Sequence, residues 1–204
     1  MNNYSKKEKK LNSKLVCITG FMGSGKSTAI QLLSEQGFEV FEMDKYIHSI
    51  YSRNKIGYEI IKKNFGSDFV TSTEVNRLKL RELIIKDKIA KKKLDSLMLE
   101  VMINKIKELY SLDRFIVVEL GIYIYNQIEF YYLFKKIIAI YSCRENINDN
   151  FNKFHQGYNF STKDVENSKM LENTHIVYVD YIVENNVNLE SFFSSIKNIF
   201  KILT

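Results

Sequence analysis

The chain has no proline and no tryptophan among its 204 residues, and only two cysteines. Cys17 and Cys143 stand far apart and lack the spacing of metal ligands, which argues against a disulfide framework and against a zinc site. They are expected as small buried residues in strands. No run of about 18 uncharged apolar residues occurs, so no membrane-spanning helix is expected. The opening "MNNYSKKEKKLNSK" has no apolar segment behind its charges that could act as a signal sequence. The expectation is a soluble cytoplasmic protein with no membrane partner. The missing proline, beside abundant Asn, Lys and Ile, is the pattern of AT-rich coding, so a proline absent from a motif says little about function.

With 45% hydrophobic residues the chain is long enough to bury a core as one domain, or one domain with an insertion. The net charge of +6 could indicate a nucleic-acid partner, but its location argues otherwise. Lys6, Lys7, Lys9, Lys10 and Lys14 against Glu8 put +4 into the first fourteen residues, leaving the remainder nearly balanced. Residues 1 to 13 are expected to be a basic, solvated tail, with no specific nucleic-acid contact.

The periodicity predicts an α/β fold. "KLVCITG" (14 to 20) is a branched apolar run stopping at Gly, as a buried parallel strand would. From Ser27 to Gln36, Ala29, Ile30, Leu32 and Leu33 fall on one helical face, and Gly37 sits where a helix ends. "FEVFEMD" (38 to 44), "FIVVELG" (115 to 121), "KIIAIYS" (136 to 142) and "HIVYVDYIV" (175 to 183) are further strands, and strands separated by helices imply a mainly parallel sheet. Leu94, Leu97, Met98, Val101, Met102, Ile106 and Leu109 repeat at helical spacing. Residues 45 to 112 are therefore read as a helical acceptor-binding insertion in a domain of residues 14 to 204. Leu189, Phe192, Phe193, Ile196, Ile199, Phe200 and Leu203 predict a terminal helix packed on the sheet.

One stretch carries chemistry by its spacing. "GFMGSGKS" (20 to 27) fits G-x-x-x-x-G-K-[ST] between a predicted strand and a predicted helix, the context a P-loop requires. Gly20, Gly23 and Gly25 let the backbone turn successive N–H groups of Ser24 through Thr28 inward onto phosphate oxygens. Lys26 would reach the β and γ phosphates of ATP, Ser27 would bind Mg²⁺, and the helix would add its positive dipole end. The N-K-x-D element of GTPases is absent. A motor-type strand ending in two acids is also absent, since "FIVVEL" offers Glu119 alone as a second metal-side group. A three-layer P-loop kinase of a small metabolite remains. Asp44, at the sheet edge where ligands bind, could orient or deprotonate an acceptor hydroxyl or could cap the next helix.

Beyond its P-loop, "ITGFMGSGKSTAIQLLSEQGFEVFEMDKYIH" resembles the opening of dephospho-CoA kinases, T-G-G-I-G-S-G-K-S followed by G-x-x-V and D-A-D-x-I-x-H. Thr19, Gly37, Val40, Asp44, Ile47 and His48 match beyond the loop. "IIKKNFGSDFV", "EVNRLKLRELIIKDKIAKKKLDSLM" and "VDYIVENNVNLESF" are similar to later family segments, in order, through Ile61, Phe65, Gly66, Asn76, Arg77, Leu80, Asp180, Tyr181, Asn185 and Asn186. The resemblance implies transfer of the ATP γ phosphate to the ribose 3′-hydroxyl of dephospho-CoA. It also implies that Asp44 holds that hydroxyl, that Thr19 lies beside the reacting groups, and that His48 and Arg77 line the acceptor pocket.

The sequence departs from the family pattern in places. Phe21 replaces the second Gly of T-G-G, and "VVELGIYIYN" keeps the acid as Glu119 but not the family's proline. In the lid region, 144 to 172, Asn150 and Phe154 stand where the family has two arginines. Such an arginine contributes on the order of 10³ or more in rate. Arg144, Lys153 and His155 are the cations that could replace it. Two other readings stay open: a P-loop kinase of another metabolite or nucleotide, and a degenerate ATP-binding protein without the transfer.

Overall fold

The structure, a computed structural model, describes residues 12–20, 23–121, 132–142, 179–185 and 188–204. Five strands, β1 (Leu15–Gly20), β2 (Glu39–Glu42), β3 (Ile116–Glu119), β4 (Lys136–Tyr141) and β5 (Tyr181–Glu184), form one sheet in the order β2-β3-β1-β4-β5. The pairings β1–β3, β1–β4 and β4–β5 are all parallel. All six β1 residues are buried, which is why that strand is apolar on both faces.

Strand alternation then sorts the side chains. Val16, Ile18, Val117, Ile138, Ile140 and Val183 share one core with Ala29, Ile30, Leu32 and Leu33 of α1 (Lys26–Glu35) and Phe192, Ile196, Phe200 and Leu203 of α6 (Leu189–Leu203). Both helices therefore cover the same face of the sheet. The α1 helix stops where its glycine predicts. Gly37 takes φ +85°, its N–H donates to Ser34 O, and Phe38 N–H donates to Leu33 O. That paired closure uses two of the carbonyls a helix end leaves over. Asn188 starts α6 by accepting the Ser191 N–H at 2.9 Å.

The strands are shorter than the periodicity predicts. The second ends at Glu42, so Asp44 belongs to the first turn of α2 (Met43–Ile50) rather than to the strand. A carboxylate there is favoured by the helix N-terminus, and the fully buried Met43 anchors the first turn. Of the strand predicted over 175 to 183, Tyr181–Val183 lie in β5, while residues 175 to 178 lie outside the described residues.

The described residues separate into two units, one of Met1–Phe41 with Leu109–Thr204 and one of Glu42–Glu108. The second unit holds α2, α3 (Ile56–Phe65), a short 3-10 turn (Ser67–Phe69), α4 (Arg77–Lys86) and most of α5 (Lys88–Ser111). Asp87 separates the last two helices, its carboxylate accepting the N–H groups of Ile89 and Ala90. The segments flanking α3 are tied together: Arg53 N–H donates to Thr73 O, Val75 N–H to Tyr51 O, and the Tyr58 hydroxyl to Thr71 O. Helix α3 lies so close to the end of α2 that a Cβ on Gly57 would come within 2.8 Å of the Ile50 carbonyl oxygen and 2.9 Å of Tyr51 Cδ1. We predict that Gly57→Ala destabilises the protein by about 1–3 kcal/mol through overpacking, read as a lower denaturant midpoint; an unchanged midpoint would contradict that close approach.

Candidate functional site

The sheet and α1 build one candidate site. β1 and β3 run parallel with Ile18 beside Glu119, so Gly20 and Glu119 both end at the same sheet edge. In an open parallel sheet that edge is where ligands sit. The chain then turns into α1 through glycines in conformations that side chains disfavour: Gly23 at φ +80° and Gly25 at φ +103°. Gly20 has no room for a side chain, because a Cβ would lie 2.3 Å from the Ile140 carbonyl oxygen.

Helix α1 begins at Lys26 with no side-chain cap and no acidic residue in its first turn. A helix start of this kind offers backbone N–H groups and a partial positive charge to an anion. Two hydroxyls nearby are left without partners among the described residues. Thr19 Oγ1 and Ser24 Oγ are buried, and neither has a hydrogen-bond partner among the described residues. A buried polar group left in that state costs about 1–3 kcal/mol, and such orphans call for a local explanation. The glycine turn and the uncapped helix fit a phosphate group, while the two hydroxyls are enclosed. Thr19 itself is fully enclosed in β1, beneath the turn. Ser27 is exposed and Thr28 half-buried in the first turn of the helix.

For a divalent ion, the residues present are the Ser27 hydroxyl and the carboxylate of Glu119, which is 7% exposed at the end of β3. No cluster of three or more His, Cys, Asp or Glu side chains occurs among the described residues. That sparse donor set suits Mg²⁺, which keeps several waters and takes substrate phosphates as ligands, and does not suit zinc.

The second unit brings three further predicted residues into one cluster. Asp44 and His48 are four apart on α2, hence on one face. Arg77, the first residue of α4, places Nη2 3.1 Å from His48 Nε2. A guanidinium only donates, so Nε2 is the acceptor in this contact. Asn76 fixes the start of α4 by accepting the Lys79 N–H at 3.1 Å, which sets the place from which Arg77 projects. Beside this pair, burial pushes the Tyr51 phenol up, and the Arg77 charge opposes that shift. Asp44, His48 and Arg77 are all exposed.

Arg144, Lys153 and His155 lie outside the described residues, as do Phe21, Cys143 and most of the basic tail. One residue given no role from the sequence joins the glycine turn. The Asn185 side-chain amide, just past β5, donates to the Ser24 carbonyl at 3.0 Å across 161 positions. Its sole sequence signal was membership of the N-N pair in the last family-like segment.

Cys17 behaves as the sparse cysteine content predicts. It is buried in β1, and burial first, then the charge of Glu119, pushes its thiol well above the usual range. The native protein should therefore leave Cys17 unmodified by iodoacetamide at pH 8, while the denatured chain is labelled there; equal labelling, read by peptide mass spectrometry, would contradict it. Because the folded pKa is raised, the stability Cys17 contributes is complete below the unfolded value of about 8.5 and falls as pH rises past it.

With this geometry in hand, the comparisons with known proteins are specific. The family model described as dephospho-CoA kinase matches residues 14–191. The dephospho-CoA kinase of Aquifex aeolicus is 27% identical over 198 residues, covering 94% of this chain and 98% of that one. Among solved structures, a Thermus thermophilus protein superposes with a TM-score of 0.69 at 23% identity, over 93% of this chain and 97% of that one. The dephospho-CoA kinase from Campylobacter jejuni superposes with a TM-score of 0.64 at 20% identity, over 92% and 96%. Those two structures establish the P-loop kinase fold, and the family model spans most of the sequence: the chain belongs to the dephospho-CoA kinase family.

Proposed function

We infer that the protein transfers the γ phosphate of ATP to the ribose 3′-hydroxyl of dephospho-CoA, forming coenzyme A and ADP. The observation that carries this is the family match over residues 14–191, which takes in both the glycine turn and the Asp44–His48–Arg77 cluster. The 3′-oxygen attacks the γ phosphorus, the bond from that phosphorus to the β–γ bridging oxygen breaks, and the hydroxyl proton passes to a base.

The residue roles follow from chemistry. Backbone N–H groups from Gly23 to Thr28 hold the phosphate oxygens, and Lys26 neutralises charge on the β and γ phosphates. The Ser27 hydroxyl and the Glu119 carboxylate would hold Mg²⁺, which would supply further charge neutralisation at the phosphates. Asp44 receives the acceptor proton, as its exposed carboxylate at the start of α2 permits. Arg77, oriented by His48, binds the anionic part of the acceptor. Lys153 is the proposed stand-in for the family's lid arginine, with Arg144 and His155 as the other cations of that region. A lysine is a point charge where arginine is a fork, so the substitution should keep the neutralisation and lose some geometry. The site of action we propose is the cytoplasm; no helix among the described residues is long and apolar enough to cross a membrane.

Wild-type protein given ATP, Mg²⁺ and dephospho-CoA should form coenzyme A, and Asp44→Asn should lower that rate by on the order of 10²–10⁴ while leaving ATP affinity unchanged. Coenzyme A formation by Asp44→Asn at the wild-type rate would remove Asp44 from this role. Arg77→Ala should raise the KM for dephospho-CoA about tenfold, the loss of one charged hydrogen bond, with the KM for ATP unchanged. A shift in the ATP constant instead would place Arg77 on the other substrate.

A further inference from the structure

Asn185 is held as firmly as any residue in a strand, although it lies one position past β5. Its N–H donates to the Tyr141 carbonyl at 2.7 Å, and its own carbonyl accepts the Ser142 hydroxyl at 3.2 Å. The end of β4 therefore fixes its backbone from both sides. From that position its side-chain amide donates to the Ser24 carbonyl at 3.0 Å. The amide also fills the space a side chain on Gly25 would need, since a Cβ there would lie 2.4 Å from Asn185 Nδ2 and 3.3 Å from Cγ. The bare α-carbon of Gly25 thus serves two purposes: it permits φ +103° and it admits the amide.

The consequence lies in the peptide plane. No cis peptide bond occurs among the described residues, so the Ser24 carbonyl and the Gly25 N–H point in opposite directions across one rigid unit. A donor that holds the carbonyl toward β5 turns the N–H to the other side, away from Asn185. We propose that Asn185 is a positioning residue for phosphate binding, acting through the Ser24–Gly25 peptide to keep the Gly25 N–H aimed at the ATP phosphates. Asn185 touches no substrate in this role. The inference rests on the glycine turn being the phosphate site and is independent of which acceptor the enzyme uses.

The test uses Asn185→Leu, which keeps the shape of the side chain without a donor or a charge, and Asn185→Ala as the smaller variant. Binding of ATP and of AMP is measured without any acceptor, together with the melting temperature. A mis-set peptide should weaken ATP about 10- to 100-fold, the cost of losing one charge-assisted donor and freeing the loop. AMP lacks the β and γ phosphates and should change less than about threefold by the same scale. Unchanged ATP affinity overturns the proposal. Equal weakening of ATP and AMP, or failure of both variants to fold, marks Asn185 as merely structural and overturns it as well. Because no acceptor is present, a wrong assignment of dephospho-CoA would leave this result untouched.

Discussion

The turn from β1 into α1 cannot carry side chains at Gly20 or Gly25, and the packing of strand ends around it depends on that. At Gly20 the missing Cβ lets β4 run beside β1 to the last strand residue, where Ile140 is its partner. At Gly25 it lets the end of β5 reach the loop through Asn185. The order β3-β1-β4-β5 therefore gathers three strand ends around one turn, with Glu119 on one side and Asn185 on the other. In the proposed function the same absences leave the backbone as the phosphate-holding surface. A sheet that is apolar on both faces of β1 supplies rigidity from below, and α1 supplies its positive end from the side.

Much of this was legible in the sequence because its determinants are local. The glycine spacing, Lys26 and Ser27 lie within eight positions, and a strand before them with a helix after them is a short-range pattern. The stripe from Leu94 to Leu109 is visible because helical burial repeats every three to four residues, and the structure buries Leu94, Met98, Val101, Met102, Ile106 and Leu109. Long-range contacts left no such trace. Arg77 and His48 are 29 positions apart, and what joins them is the cap at Asn76 together with the backbone ties across the loops. Asn185 and Ser24 are 161 positions apart, and nothing in either local sequence indicates the contact. The alternation through Met43 and Asp44 reads as strand, yet a buried methionine and an acid suit a helix start equally well, so local pattern alone misplaced that boundary.

The division of labour fits the chemistry of phosphoryl transfer, in which little covalent work falls to the protein and most of the rate comes from placing charges. In the proposed mechanism the chain meets that demand with backbone dipoles and Lys26 at the nucleotide, and with the Arg77 guanidinium and the Asp44 carboxylate at the acceptor. The geometry of the proposed phosphate site is set by elements that the sheet holds in place. Asp44, His48 and Arg77, the proposed acceptor-side groups, are exposed on short helices.

The central claim, that one phosphate moves from ATP to one hydroxyl of dephospho-CoA, is tested most directly by ³¹P NMR of the reaction with wild-type protein and Mg²⁺. The account predicts loss of the ATP γ resonance matched one for one by a new phosphomonoester on the ribose 3′ position of the product. Appearance of inorganic phosphate alone, or a phosphomonoester at any other position, would contradict it.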